Sequence, residues 1–125
     1  MFFDKKFLCA MLSFTAVGML LVSPASARVD GDTITLGAAV SLTGKYSTNG
    51  KHTKNGYNFA VDRINKMGGV KVGGKSYKLK VKYYDDESNS SRAAQLAERL
   101  IKQDGIKYML GPYSSGLTKA IAPVT

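Results

Sequence analysis

Short apolar segments alternate with helix-like patterns along residues 33–125. Thr33–Val40 (TITLGAAV) is apolar and rich in β-branched residues, which predicts a buried strand. In residues 77–84 (YKLKVKYY), apolar or aromatic positions alternate mainly with lysines. This pattern predicts a strand with one inward face and a solvated lysine face at the edge of a sheet. A third short strand is predicted at 106–110, and the glycine-rich segment 68–76 is expected to be a turn-rich connector.

Two amphipathic helices and the start of a third are predicted between and after these strands. The first, at 51–66, places its apolar side chains on one face of a 3.6-residue repeat. Those side chains are Tyr57, Ala60, Val61, Ile64 and Met67. Gly56, inside this helix, is expected to mark close packing on the sheet. The second helix spans 90–103, with apolar positions at Ala93, Ala94, Ala97, Leu100 and Ile101. A third helix begins near Leu117, so the alternation predicts an α/β fold, a parallel sheet with crossover helices.

The first 27 residues have the pattern of a secretory signal peptide. Lys5 and Lys6 precede an apolar run from Phe7 to Val22, and Ala25 and Ala27 form an A-x-A cleavage signal. A membrane anchor is the alternative, but the run is short for a span of about 20 residues. Cys9 lies near the start of the run, which argues against a lipoprotein site. Cleavage after Ala27 and a periplasmic location are therefore expected.

Cleavage would leave residues 28–125 without any cysteine, and hence without a disulfide. The net charge of +9 for the whole chain would become +8, because two lysines and one aspartate leave with the signal. A pI near 9.7 invites a nucleic-acid interpretation. An exported protein meets little nucleic acid, so a solvated basic surface is favoured and no nucleic-acid partner is expected.

Two loops follow predicted strands and lead into predicted helices, at 41–50 and 111–116. In parallel sheets ligands bind beyond the carboxyl ends of the strands, often at helix N-termini. Ser114 and Ser115 can cap the third helix. The positive end of its dipole would attract a small carboxylate, and Gly116 would leave room for that group. Plain capping without a ligand is the alternative, and these residues alone leave both open.

The motifs of common enzymes are absent from the sequence. Tyr113 occupies the position that a G-x-S-x-G motif would need, and His52, the one histidine, is expected in solvent near the first helix. No Cys/His cluster, dinucleotide-binding motif or P-loop is present, so no metal, cofactor or catalytic residue is predicted. Asp85, Asp86 and Glu87 are expected to cap the second helix and to shape the turn before it.

Taken in order, these motifs resemble the periplasmic branched-chain amino-acid (Leu/Ile/Val-type) binding proteins. The resemblance covers 32–125 and rests on four linked features: LTG at 42–44, A-V-x-x-I-N-x-x-G-G at 60–69, the aspartate pair at 85–86 and G-P-x-S-S-G at 111–116. It implies the type I periplasmic binding protein fold, in which two α/β lobes joined by a hinge close on a solute. It also implies a non-enzymatic receptor that binds an amino acid and delivers it to the permease of an ABC transporter. Such a receptor would contact the membrane only transiently, through that permease.

The resemblance also implies four ligand-binding residues. The family's serine for the ligand's α-carboxylate falls on Ser115, with Ser114 as its neighbour. The loop that lines the cleft falls on residues 46–50 and supplies Tyr46 and Asn49, although Lys45 stands where many relatives have proline. Some relatives have a cysteine at the place of Ser114, so that disulfide is not expected here.

The resemblance further implies that residues 28–125 are an incomplete first lobe. We therefore expect the isolated chain to be marginally stable and unable to close around a solute. Receptors of the same family for amides, urea or aromatic acids, and a periplasmic ligand-sensing domain, remain open as alternatives. An enzyme would require a histidine and an acid from elsewhere.

Overall fold

A computed structural model describes residues 29–125, and the predicted signal peptide lies outside the described residues. Strands alternate with helices in the predicted order. The elements are β1 (Val29–Asp30), β2 (Thr33–Val40), α1 (Ser47–Lys66), β3 (Val70–Val72), β4 (Lys75–Asp85), α2 (Ser90–Lys102), β5 (Met109–Leu110), α3 (Ser115–Ile121) and a 3₁₀ turn (Ala122–Val124).

β2 is the central strand of the sheet. It pairs in parallel with β4 over its whole length, from Thr33 opposite Lys78 to Val40 opposite Asp85. On its other side it pairs in parallel with β5, where Ala38 lies opposite Leu110. The short strands β1 and β3 add antiparallel pairs to β2 and β4. The three parallel strands and their crossover helices confirm the predicted α/β class.

The helices lie on opposite faces of this sheet. Tyr83 donates a hydrogen bond to the Asn58 side chain of α1, whereas its neighbour Tyr84 donates to Asp104, just after α2. Consecutive strand residues point to opposite faces, so α1 and α2 lie on opposite faces. The main core lies under α2 and α3 and contains Ala39, Ala93, Ala97, Leu117 and Ile121. The predicted inward face of α2 is therefore confirmed at its centre.

Three local predictions for the region from the first helix to the second strand are wrong. The connector contains a strand, β3, because its Val-Lys-Val run pairs with the start of β4. α1 begins at Ser47, so Asn49 and Gly50 are helical rather than part of a loop. On the predicted apolar face of α1, Met67 is 69% exposed and Ala60 is also exposed. α1 packs on both β4 and β2, but Met67 lies beyond its last helical residue, at the C-cap.

The two aspartates that end β4 do not cap α2, contrary to expectation. Asn89 is the cap, and its Oδ1 accepts a hydrogen bond from the Arg92 N–H at 3.0 Å. The aspartates do shape the turn as predicted: Asp85 Oδ1 accepts from the Glu87 N–H and Asp86 Oδ1 from the Ser88 N–H. Glu87 and Ser88 in that turn have positive φ.

Both carboxylates are directed at the loop that follows β2, residues 41–46, here called the β2–α1 loop. Asp85 Oδ1 accepts from the N–H groups of Leu42 (2.9 Å) and Thr43 (3.2 Å), and Oδ2 accepts from the Thr43 hydroxyl (2.8 Å). The Ser41 hydroxyl donates to the buried Asp86 at 2.6 Å. Partial burial raises the pKa of Asp85. Its hydrogen bonds from the Glu87 N–H, the Thr43 hydroxyl and the N–H groups of Leu42 and Thr43 outweigh burial and leave the pKa below its usual value. The carboxyl ends of β2 and β4 are thus tied together.

Two glycines of α1 predict opposite effects of alanine. A Cβ at Gly50 would lie 1.8 Å from the Ser41 carbonyl oxygen, so Gly50→Ala must push α1 off the β2–α1 loop. A Cβ at Gly56 would meet nothing within 4 Å, so the glycine there does not mark close packing. We expect Gly50→Ala to destabilise the fold by about 1–3 kcal/mol and Gly56→Ala to stabilise it by about 0.5–1 kcal/mol. Urea unfolding followed by circular dichroism measures both, and equal effects would contradict this packing.

The Asp85 contacts predict an acid-sensitive component of stability. Its folded pKa lies below the unfolded value of about 3.9, so the stabilisation is fully present above that value and is lost as pH falls through the folded pKa. Asp85→Asn should therefore destabilise the protein strongly at pH 7 and less as the pH falls below about 4. Urea unfolding of both proteins across this range measures the gap. A gap that is independent of pH would show that the Asp85 charge does not hold the loop.

Candidate functional site

The β2–α1 loop and the loop after β5 meet at the carboxyl edge of the sheet. β2 pairs with β5, so the segments that come after the two strands are neighbours. The second segment, residues 111–114, is here called the β5–α3 loop. The rings of Tyr46 and Tyr113, one from each loop, lie 6.1 Å apart at an interplanar angle of 54°. This tilted contact joins the two loops that the sequence singled out.

Ser114 caps α3, as predicted. Its backbone is extended, and its Oγ accepts a hydrogen bond from the Leu117 N–H at 3.2 Å. Leu117 is buried in the core, so the cap is held against a fixed helix. The Ser114 carbonyl also accepts from the N–H and the hydroxyl of Thr118. The hydroxyl oxygen of Ser114 is therefore already engaged by the fold.

Ser115 is the first residue of α3 and does not cap it, contrary to one of the two roles considered from the sequence. Its side chain is exposed. Within residues 29–125 its hydroxyl has no hydrogen-bond partner. The two adjacent serines therefore have different roles. Ser114 caps the helix, whereas the exposed hydroxyl of Ser115 is accessible to a ligand.

Tyr46 is fixed by the fold from several directions. Its half-buried ring packs against the core cluster and lies 4.7 Å from the Lys45 ammonium. Its N–H donates to the Ser88 hydroxyl, which in turn donates to the Thr43 carbonyl. Tyr46 therefore presents a rigid aromatic surface beside the β5–α3 loop.

Asn49 lies in the first turn of α1 and is half-buried. Its carbonyl accepts a hydrogen bond from the Thr53 hydroxyl at 3.0 Å. Among the described residues, no hydrogen bond joins Asn49 to Ser114 or Ser115. The structure thus brings Tyr46 to the β5–α3 loop through Tyr113, and leaves the part of Asn49 as a prediction.

Tyr57 is a contributor that sequence reasoning missed. It was counted only as part of the apolar face of α1, but its hydroxyl donates to the Gly111 carbonyl at 2.7 Å. A tyrosine hydroxyl is a donor at neutral pH, and burial raises the pKa of Tyr57 further. A tyrosine on an inward helix face needs a partner for its hydroxyl, and that requirement was the available signal.

The surroundings of the serines contain no other reactive cluster. No group of three metal-ligating side chains occurs within residues 29–125, and His52 is exposed. A cavity of about 160 Å³ opens between β5 and α3, beside Leu110, Pro112 and Thr118, and does not include Ser115. No helix in the described part of the chain is both long and apolar enough to cross a membrane. At this edge of the sheet, a ligand could therefore contact the Ser115 hydroxyl and the ring of Tyr46.

Comparisons with known proteins agree with this geometry. The family model for periplasmic binding proteins matches residues 33–125. The Leu/Ile/Val-binding protein BraC3 of Rhizobium johnstonii is 32% identical over 110 residues, which are 88% of this chain and 29% of that protein. A binding protein for leucine, isoleucine, valine, threonine and alanine from Pseudomonas aeruginosa is 30% identical over 86% of this chain and 28% of its own length. The chain therefore spans less than a third of these relatives.

Solved structures of solute-binding proteins are also similar to this chain. A branched-chain amino acid transporter substrate-binding protein of Streptococcus pneumoniae, in complex with isoleucine, aligns with a TM-score of 0.66 and 30% identity, over 74% of this chain and 25% of that one. An ABC-transporter solute-binding protein of Rhodopseudomonas palustris, in complex with 3,4-dihydroxybenzoic acid, aligns with a TM-score of 0.60 and 30% identity, over 74% and 24%. Motif order, fold and these matches together show that the chain belongs to the periplasmic binding protein family.

Proposed function

We propose that the described residues are part of the first lobe of an exported solute receptor for an ABC uptake transporter. The observation that supports this most directly is the free hydroxyl of Ser115 at the carboxyl edge of a parallel sheet. The receptor acts by binding alone and is not an enzyme. It reaches the periplasm through cleavage after Ala27, and its protein partner is the transporter's permease.

The proposed ligand group is a carboxylate. An exposed serine hydroxyl can donate a charge-assisted hydrogen bond to it, a type that is stronger than a bond between neutral groups. Ser114 holds its neighbour in place, because its own hydroxyl caps α3. Ser115 is therefore the main contact and Ser114 a support, while Tyr46 and Asn49 line the space beyond the carboxylate.

The ligands of the two structural neighbours support a carboxylate as the recognised group. The rest of the two ligand molecules differs. One neighbour holds isoleucine and the other 3,4-dihydroxybenzoic acid, and both ligands carry a carboxylate. The curated relatives favour branched-chain amino acids. We infer that this chain recognises the shared group and that leucine, isoleucine or valine is the solute. An aromatic acid is the second candidate, favoured by the Tyr46–Tyr113 pair and the dihydroxybenzoate-bound neighbour.

The two serines predict separable effects. Ser115→Ala removes a hydrogen bond to a charged ligand, which is worth about 1.5–3 kcal/mol, or roughly a 10- to 100-fold loss of affinity. It should leave stability unchanged, because the hydroxyl makes no bond within the described fold. Titration with leucine, isoleucine, valine, urea and short amides measures the affinities and, from the wild type alone, ranks the solutes. It is followed by ¹⁵N–¹H spectra, because a lobe that cannot close around a solute is expected to bind it weakly.

Ser114→Ala is the matched control for Ser115→Ala. It removes the cap of α3 and should cost about 1 kcal/mol of stability, measured by urea unfolding. Its effect on affinity should be smaller than that of Ser115→Ala. Carboxylate binding that survives Ser115→Ala intact would contradict the proposed role of Ser115.

A further inference from the structure

We propose that Tyr57 is a positioning residue for carboxylate recognition, because it holds the β5–α3 loop that borders Ser115 in one conformation. The inference rests on the proposed function, since it concerns the same ligand. It adds a residue from the middle of α1, outside the two loops that meet at the site. Tyr57 acts through the backbone of Gly111, at the point where β5 ends and the loop begins.

Gly111 lacks any side-chain restraint at the start of this loop. It has no side chain to pack, and a Cβ there would meet nothing within 4 Å. Glycine populates a wide range of φ and ψ, and the following Pro112 has no N–H with which to tie the loop to a neighbour. Within residues 29–125, the Gly111 carbonyl accepts its hydrogen bond from Tyr57. That bond therefore helps to set the orientation of the 111–112 peptide.

Tyr57 is well placed to act as a fixed donor. It lies on the sheet-facing side of α1, is half-buried, and is separated from Gly111 by 54 positions in the sequence. Its hydroxyl is protonated at neutral pH, as in an ordinary tyrosine, and burial raises the pKa of Tyr57 further. α1 itself is anchored at its start, where Gly50 touches the Ser41 carbonyl. The donor is therefore attached to the same rigid unit as the β2–α1 loop.

A second contact holds the loop from the other end. The Tyr113 ring leans on Tyr46, which the core and Ser88 keep in place. The four residues before α3 are thus held at Gly111 by a hydrogen bond and at Tyr113 by a ring contact. Leu117 and Ile121 keep α3, and with it Ser115, on the core. Removing the hydrogen bond should therefore leave Ser115 in place but let residues 111–113 sample other orientations, which changes the surface beside its hydroxyl at a cost to ligand affinity.

The matched variants are Tyr57→Phe and Tyr83→Phe. Tyr83 faces the same helix and donates to the Asn58 side chain, so its loss removes a comparable hydroxyl without touching the β5–α3 loop. We expect Tyr57→Phe to weaken leucine binding by about five-fold or more and Tyr83→Phe to change it by less than about two-fold. Leucinamide, which lacks the carboxylate, provides a readout that a general loss of stability would not move. The leucine-to-leucinamide affinity ratio should fall in Tyr57→Phe alone.

Titration of the full chain with leucine and leucinamide gives these values, followed by ¹⁵N–¹H spectra because a lobe that cannot close around its ligand is expected to bind it weakly. Amide hydrogen exchange without ligand should also accelerate at Tyr113 and Ser114 in Tyr57→Phe and stay unchanged there in Tyr83→Phe. A wild type that binds leucine, combined with a Tyr57→Phe variant that keeps its affinity and ratio, overturns this inference and leaves the proposed function standing. A wild type that shows no preference for the carboxylate overturns both.

Discussion

The contact on which the candidate site depends is the pair of carboxylates at the end of β4. Asp85 and Asp86 accept hydrogen bonds from the backbone and hydroxyl groups of residues 41–43, more than 40 positions earlier in the chain. Pairing between β2 and β4 aligns the two strands but does not by itself fix the path of the β2–α1 loop. The carboxylates fix that path, because they replace the water that the loop's N–H groups would otherwise bind.

Several further contacts depend on that fixed loop. Tyr46 reaches the core, and α1 can start at Ser47 because Gly50 lets the helix touch the Ser41 carbonyl. α1 then carries Tyr57 to Gly111, and Tyr46 meets Tyr113. The loop before α3 is thus shaped by the segment after β2. This loop leads directly into Ser115, whose hydroxyl is exposed.

The order of elements could be predicted because it depends on local periodicity. Thr33–Val40 forms a strand with the predicted bounds, and α2 buries Ala93, Ala97 and Leu100. The errors occur where distant contacts override local pattern. β3 is a three-residue run that becomes a strand only by pairing with β4, and the Ser- and Gly-rich start of α1 becomes helical against Ser41.

In the candidate site, too, local features could be predicted and distant contacts could not. The cap by Ser114 could be predicted from a serine placed just before a helix, and the structure confirms it. The choice of Ser115 came from resemblance to a family, which the comparisons confirm, while its ligand contact stays a prediction. The aspartates were assigned to α2 although Asn89 is an equally good local cap, and nothing in the sequence shows that the carboxylates would be needed by another loop. Tyr57 was missed because an apolar stripe does not reveal where a hydroxyl finds its partner.

The edge formed by the two loops is proposed to recognise a carboxylate, and ¹⁵N–¹H correlation spectra of the chain during titration with leucine test this most directly. We predict that amide shifts change in residues 46–50 and 113–117, that the β3–β4 turn at Gly73 and Gly74 stays unchanged, and that leucinamide has a much weaker effect. Shifts centred elsewhere, or equal shifts with leucinamide, would contradict carboxylate recognition at this edge.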